Sequence, residues 1–226
     1  MIDWSAILLT FRLAFVVCAV LLIVGMPIAT WIAFTRWRWK FLVESVVAMP
    51  LVLPPTVLGF YLLVAMGSQS PIGVWYRDAT GRMLPFTFAG LAVASVIYSL
   101  PFAVQPMASA FAQVDRDLIN ASSLLGASHL RTFLRIVLPL SMGGIVTGIV
   151  LAFAHTLGEF GVVLMVGGNI PGVTQTVSIA IYDDVQALDY ASANHMALIL
   201  VAFSFVTLSI TYAINRRVWA IWPMNR

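Results

Sequence analysis

The sequence predicts an all-α integral membrane protein with about five membrane-spanning helices. Of its 226 residues, 61% are hydrophobic and only 9% are charged, whereas an average soluble domain carries about 25% charged residues. Several apolar stretches run for about 20 residues, which is the length that a helix needs to cross roughly 30 Å of hydrocarbon. We therefore expect a single transmembrane domain over residues 1–226.

The positions of the basic residues predict the orientation of the chain. The twelve Lys and Arg residues lie in clusters between apolar stretches, and none occurs from Ile136 to Asn215. By the positive-inside rule the three main clusters are cytoplasmic, which places the N-terminus outside and the C-terminus inside. A clustered pattern of this kind argues against a nucleic-acid partner. The clusters are Arg36, Arg38 and Lys40; Arg116, Arg131 and Arg135; and Arg216, Arg217 and Arg226.

Five segments satisfy the length and composition of a span. The second contains three prolines, each of which removes a backbone donor, so we expect this span to be kinked or broken. Tryptophans bracket the end of the first, as is typical of residues at a membrane interface. The expected spans are Ile7–Phe34, Val43–Met66, Phe86–Ala110, Pro139–Met165 and Ala191–Ile214.

The segments between the spans are polar. Residues 67–85 are expected to form an external loop, and the polar stretch from Asn169 to Asp189 should also face outward. The segment from Phe111 to Leu138 has mixed charge and a helical pattern of apolar residues, and it should lie inside. Its pattern breaks at Gly126, which predicts two short helices joined at a glycine turn, with Ser128 capping the second. An amphipathic helix lying on the bilayer surface is the alternative interpretation.

The internal segment contains Asn120-Ala121-Ser122, then Gly126, then Ile136-Val137-Leu138-Pro139. In this order and spacing the segment resembles the EAA loop of ABC importer permeases, which has Glu-Ala-Ala, Gly and Ile-x-Leu-Pro. Asn120 and Ser122 depart from the residue types of that family. The resemblance implies an ABC importer permease (MetI-like) fold, in which residues 112–138 form a cytoplasmic coupling helix that docks on a separate ATPase. The candidate coupling residues are Asn120, Ala121, Ser122, Gly126, Ser128, Arg131, Arg135 and Pro139.

Further stretches are similar to those of molybdate permeases. They are Pro50–Gly59, Thr156–Gly161, Gly168–Thr176 and Ile179–Asp183. The resemblance implies a permease that imports molybdate by alternating access, with tungstate or sulfate as alternative substrates. It further implies a permease homodimer, two ATP-binding-cassette ATPase subunits and a periplasmic or extracellular molybdate-binding protein, in the lipid of a bacterial or archaeal cytoplasmic (inner) membrane.

A path for such a dianion must balance two costs. Desolvating the ion is expensive, yet tight binding inside the conduit would prevent its release, so weak hydrogen-bond donors are preferable. Glu159 lies inside a span and needs a partner, which leaves open whether it serves the gate or only joins neighbouring helices. The prolines could likewise only shape packing. The candidate path or gate residues are Pro54, Pro55, Thr56, Gly59, Glu159 and Gly161.

Other kinds of chemistry find little support in the sequence. It contains no Gly-x-x-x-x-Gly-Lys-Ser/Thr phosphate loop, so ATP hydrolysis is expected in a separate partner and the chain is not expected to be an enzyme. His155 and Glu159 lie one helical turn apart without a third ligand at suitable spacing, so we expect neither a metal nor a cofactor. An intramembrane enzyme would lack a recognisable motif, and an autonomous channel would leave the segment around Gly126 unexplained.

Overall fold

The computed structural model describes the backbone of residues 2–221, with side chains of the last helix described through residue 209 and at residues 212 and 213. This range is helical throughout its regular structure and contains no β-strand, which confirms the all-α prediction. The helices are α1 (Trp4–Phe34), α2 (Lys40–Val52), α3 (Pro55–Met66), α4 (Pro71–Thr80), α5 (Phe88–Ala112), α6 (Arg116–Leu124), α7 (His129–Thr132), a π-helical turn (Phe133–Val137), α8 (Leu138–Leu140), α9 (Met142–Leu157), α10 (Gly161–Gly167), α11 (Val177–Gln186) and α12 (Tyr190–Ile221).

The number of possible spans within the described residues is three to five. Three helices are long and apolar enough to cross a membrane, namely α1, α5 and the Tyr190–Ser209 part of α12. Two bent helix pairs raise the count to five if each is one span. The prediction of about five spans agrees with the upper end of this range. The predicted orientation of the chain relied in part on Arg216, Arg217 and Arg226. The side chains of Arg216 and Arg217, and the whole of Arg226, lie outside the described residues.

The second span is broken, as its prolines predicted. Helices α2 and α3 meet at an angle of 114°. Helix α2 ends at Val52, with Leu53 as its C-cap, and Pro55 begins α3 at a position where its missing N–H removes no helical hydrogen bond. The break therefore places Pro54 between two helices instead of inside one.

Two expectations about the remaining elements were wrong, and a third segment contains a helix that the sequence did not predict. The external loop 67–85 contains α4, which begins because the Ser70 side chain accepts a hydrogen bond from the Gly73 N–H at 2.9 Å and Pro71 occupies the first turn. The outer polar stretch contains α11. The fourth span is also not one helix: α9 ends at Leu157, and residues 158–160 separate it from α10.

The core is formed by α1, α5 and α9. Leu13, Val17 and Leu21 of α1 are fully buried in this core, together with Leu91 of α5. Close approach of α5 and α9 depends on small residues, because a Cβ atom added at Gly148 would lie 2.7 Å from the Ala103 carbonyl oxygen. These three helices form the rigid frame against which the broken helices pack.

Candidate functional site

The internal segment has the predicted form of two short helices joined at a glycine. The Asp115 side chain caps α6 by accepting a hydrogen bond from the Asp117 N–H at 2.8 Å. Gly126 has φ = +79°, a left-handed conformation that glycine adopts without a steric cost. Ser128 then caps α7 by accepting from the Arg131 N–H at 3.3 Å.

A hydrogen bond between side chains holds the two helices of this segment together. The Ser122 and Thr132 hydroxyl oxygens are 2.8 Å apart, and Thr132 is buried. The Ala127 N–H also donates to the Ser122 carbonyl at 3.1 Å. Ser122 therefore lies inside the hairpin, whereas Asn120 and Ala121 of the same motif are exposed. The sequence pattern did not distinguish these two environments.

The outer side of the hairpin presents uncovered apolar side chains. Leu124, Leu125 and Leu130 are 89%, 88% and 67% exposed. A concentration of large exposed apolar side chains marks a surface that another molecule covers. The exposed Arg131 and Arg135 lie one turn apart nearby. Pro139, also exposed, lies in α8 and connects the hairpin to α9.

The candidate path residues fall into two groups. Pro54, Pro55 and Thr56 are exposed at the break between α2 and α3. The two glycines instead lie where α3 packs on α10. A Cβ atom at Gly161 would lie 2.7 Å from the Pro55 Cβ, and one at Gly59 would lie 2.7 Å from the Met165 Cβ. The structure thus brings Pro55 and Gly161 together, and the glycines allow close packing.

Glu159 lies in the break between α9 and α10 and is only 3% exposed. Among the described residues, neither of its carboxyl oxygens has a hydrogen-bond partner, and no basic side chain forms an ion pair with it. The Ser95 hydroxyl of α5 lies close to this carboxyl group but is itself buried without a hydrogen bond to any described residue. The sequence predicted that the Glu159 carboxyl group needs a partner, but it did not identify Ser95 as its neighbour.

A polar contact one turn away joins the same two helices. The Ser99 hydroxyl lies 3.0 Å from the His155 Nδ1 and 3.0 Å from the Thr156 hydroxyl. The His155 ring stacks on Phe102, with 4.0 Å between ring centroids. Within the described residues no group of His, Cys, Asp and Glu has the arrangement of a metal site. Ser95 and Ser99 stand four residues apart in an apolar helix, and this spacing was the sequence signal for polar contacts between α5 and α9.

Two stretches after α10, residues 168–176 and 179–183, resemble those of molybdate permeases, and hydrogen bonds hold them together. One Asp183 carboxylate oxygen accepts from the Asn169 amide at 2.6 Å and from the Gln175 amide at 3.0 Å. The Thr174 hydroxyl adds a hydrogen bond to the Gly167 carbonyl at 2.7 Å. The loop of residues 168–176 is therefore fixed on α11, although sequence reasoning assigned no role to Asp183.

Comparison with known proteins gives a consistent result. Residues 25–220 match the family described as binding-protein-dependent transport system inner membrane component. The chain is 52% identical over 214 residues to the molybdenum transport system permease protein ModB of Azotobacter vinelandii, covering 95% of each chain. It is 32% identical over 206 residues to a probable sulfate transport system permease protein cysT of Chlorella vulgaris, covering 90% of this chain and 76% of that one.

A solved structure gives the same fold. The chain aligns with a chain of the MetNI methionine ABC transporter in an inward-facing conformation with a TM-score of 0.73 and 17% sequence identity, over 94% of each chain. At this identity the likeness concerns the fold alone. It confirms the predicted fold of an ABC importer permease.

Proposed function

The chain belongs to the family of binding-protein-dependent transport system inner membrane components, and from this premise we propose that it is the permease subunit of an ATP-driven molybdate importer. The choice of molybdate as substrate rests on the 52% identity to a molybdenum permease over 95% of both chains. The 32% identity to a sulfate permease makes sulfate the less favoured substrate. Tungstate, a dianion of the same shape, is the remaining alternative.

The internal hairpin is the proposed docking site for a separate ATPase subunit. Its exposed apolar residues Leu124, Leu125 and Leu130 suit a helix-in-groove contact, and Arg131 and Arg135 add positive charge beside them. Because Ser122 and Thr132 hold α6 to α7, the hairpin moves as one unit. A force on it passes through the π-helical turn and α8 to α9. ATP hydrolysis belongs to the partner, and this chain supplies only the mechanical response.

The translocation path is proposed to form between two copies of the chain. Each copy exposes Pro54, Pro55 and Thr56 at the break between α2 and α3, and a two-fold axis would bring the two breaks to face each other. Proline disrupts helical hydrogen bonding, so backbone groups near the break and the Thr56 hydroxyl can offer weak, transient contacts to an oxyanion. Weak contacts permit both entry and release.

Transport then follows an alternating-access cycle. A binding protein outside a bacterial or archaeal cytoplasmic membrane delivers the oxyanion, and ATP binding brings the ATPases together. The hairpins move with the ATPases and shift the population between inward-open and outward-open states. The break at Pro54 is the proposed hinge, since α2 ends at Val52 and α3 begins at Pro55.

Uptake by vesicles tests this function. The permease is reconstituted with its ATPase in proteoliposomes, and labelled molybdate is supplied on a saturated binding protein with ATP on the ATPase side. We expect ATP-dependent accumulation that excess molybdate abolishes and sulfate leaves largely unchanged. Equal uptake without ATP would indicate an autonomous channel, and stronger competition by sulfate would reassign the substrate.

A further inference from the structure

Glu159 is the only Asp, Glu, Lys or Arg residue in the buried core of the described structure. It lies two residues after the end of α9 and two residues before the start of α10. None of the described basic side chains neutralises it. A carboxyl group in this position must be accommodated by some means other than an ion pair.

Burial without a counter-charge favours the neutral form of the carboxyl group. An ionised carboxylate loses its hydration in the interior, and this loss is strongly unfavourable without a compensating charge or several hydrogen bonds. A protonated carboxyl group has one O–H donor and keeps acceptor capacity on its other oxygen. The neutral acid is therefore the form that the surroundings of Glu159 can hold.

The Ser95 hydroxyl is suited to pair with such a neutral acid. It is fully buried and has no hydrogen-bond partner among the described residues, and it lies near the Glu159 carboxyl group, whose two oxygens are also unpaired. A hydroxyl donates and accepts at the same time, as a protonated carboxyl group does. One turn further along α5, Ser99 makes the corresponding contact with Thr156 of α9 at 3.0 Å. Ser95 and Glu159 extend this row of polar groups between α5 and α9 to the α9–α10 break.

Two other titratable groups face this position. Tyr98 of α5 lies within electrostatic range of the Glu159 carboxyl group, and His155 of α9 packs against the Tyr98 ring with 4.6 Å between ring centroids. No described side chain forms a hydrogen bond with the carboxyl group, and of these three neighbours Ser95 is the one with a buried, unpaired hydroxyl. The Ser99 hydroxyl already engages the His155 Nδ1 at 3.0 Å, so His155 is not free to serve as the counter-ion of Glu159 through that atom.

We propose that Glu159 is protonated in the resting protein and that its neutral carboxyl group pairs with Ser95 as a positioning contact, which fixes the α9–α10 break against α5. The consequence for transport rests on the proposed function. Gly161 follows in α10 and packs on Pro55, so the position of one break sets the position of the other. A neutral acid also keeps negative charge away from a path for a dianion.

Infrared spectroscopy of the purified permease tests the protonation state without reference to transport. We expect the wild type to show a carbonyl-stretch band of a protonated carboxylic acid that is absent in Glu159→Gln and shifted in Ser95→Ala. Glu44 is the matched control because it is partly exposed to solvent and paired with Lys40 at 3.6 Å, so Glu44→Gln should leave the band unchanged. A wild-type spectrum without a band that depends on Glu159 would overturn the proposal.

Uptake by the assembled transporter tests the pairing. Glu159→Gln keeps a neutral donor and acceptor, so it should retain more uptake than Glu159→Leu, which keeps neither. Ser95→Ala and Glu159→Leu should each lower uptake by about fivefold to tenfold, the effect of losing one buried hydrogen bond. The double variant Ser95→Ala/Glu159→Leu should be no worse than either single variant, because both remove the same contact.

The two experiments fail in different ways. An inactive Glu159→Gln together with an active Glu159→Asp would show that the ionised charge is required, and it would overturn the neutral pairing. If the wild-type complex takes up no molybdate, the proposed function fails. In that case the infrared band of the permease still decides the protonation state of Glu159.

Discussion

The Ser122 and Thr132 hydroxyl oxygens lie 2.8 Å apart and join α6 to α7 across the Gly126 turn. One of these residues comes from the motif that resembles the EAA loop, and the other lies in the following helix. Their contact makes the two short helices a single body. This is the property that a segment needs if it is to transmit force from an ATPase to α9.

Removing this contact should loosen the hairpin. We expect Ser122→Ala to weaken the association of the permease with its ATPase by about fivefold, since a net hydrogen bond contributes about 1 kcal/mol. Co-purification at a series of ATPase concentrations measures the change. Ser123→Ala is the control, because among the described residues the Ser123 hydroxyl bonds only to the Ile119 carbonyl of its own helix, at 3.1 Å. Equal weakening by both variants would contradict a specific role for the Ser122–Thr132 contact.

The apolar side of the hairpin should be needed for docking but not for folding. Leu125 is 88% exposed, so Leu125→Asp buries no charge in the isolated permease and its thermal unfolding midpoint should be unchanged. In the complex the carboxylate would be desolvated in an apolar groove, which should reduce association at least tenfold. Leu188→Asp is the control, since Leu188 is 72% exposed in the outer region after α11. Normal ATPase binding by Leu125→Asp would reject this docking face.

An atom added at Gly148 should disrupt the close packing of α5 on α9. A Cβ atom there would lie 2.7 Å from the backbone oxygen of Ala103, so Gly148→Ala must displace one helix. We expect a loss of about 1–3 kcal/mol of stability, as for other overpacked cores, measured as a lower thermal unfolding midpoint in detergent. At Gly158 the nearest atom to an added Cβ lies 3.9 Å away. Gly158→Ala should therefore be close to neutral, and an equal loss in both variants would contradict the packing argument.

The sequence predicted features whose signals are local. Apolar stretches of sufficient length indicated the spans, and the prolines near Pro54 indicated the broken second span. Gly126 and Ser128 predicted the hairpin, because a left-handed glycine and a serine cap act within a few residues. Composition could not reveal α4 and α11, since both are short helices inside polar segments and are stabilised by neighbouring elements.

Contacts distant in sequence were not predictable in the same way. Ser95 and Glu159 are 64 positions apart, and only the packing of α5 on the α9–α10 break brings them together. Pro55 and Gly161 are farther apart still, at 106 positions, and the absence of a side chain at the glycine is what permits their contact. A single sequence shows that an intramembrane carboxyl group needs a partner, but not which helix supplies it.

The outer loop should depend on a single carboxylate. Asp183 accepts from Asn169 at 2.6 Å and from Gln175 at 3.0 Å, so Asp183→Ala leaves both amides without this partner. Each hydrogen bond to a charged group contributes about 1.5–3 kcal/mol, which solvent at the outer surface reduces. We expect faster proteolysis of the loop of residues 168–176 in Asp183→Ala. In Asp183→Asn the resistance to proteolysis should recover only in part, because the amide carries no charge. Asp184→Ala serves as the control. In the described part of the chain, Asp184 contributes only its backbone carbonyl, which accepts from the Asp189 N–H at 2.9 Å. If both alanine variants were cleaved at the wild-type rate, the loop would be held by Thr174 and its backbone contacts instead.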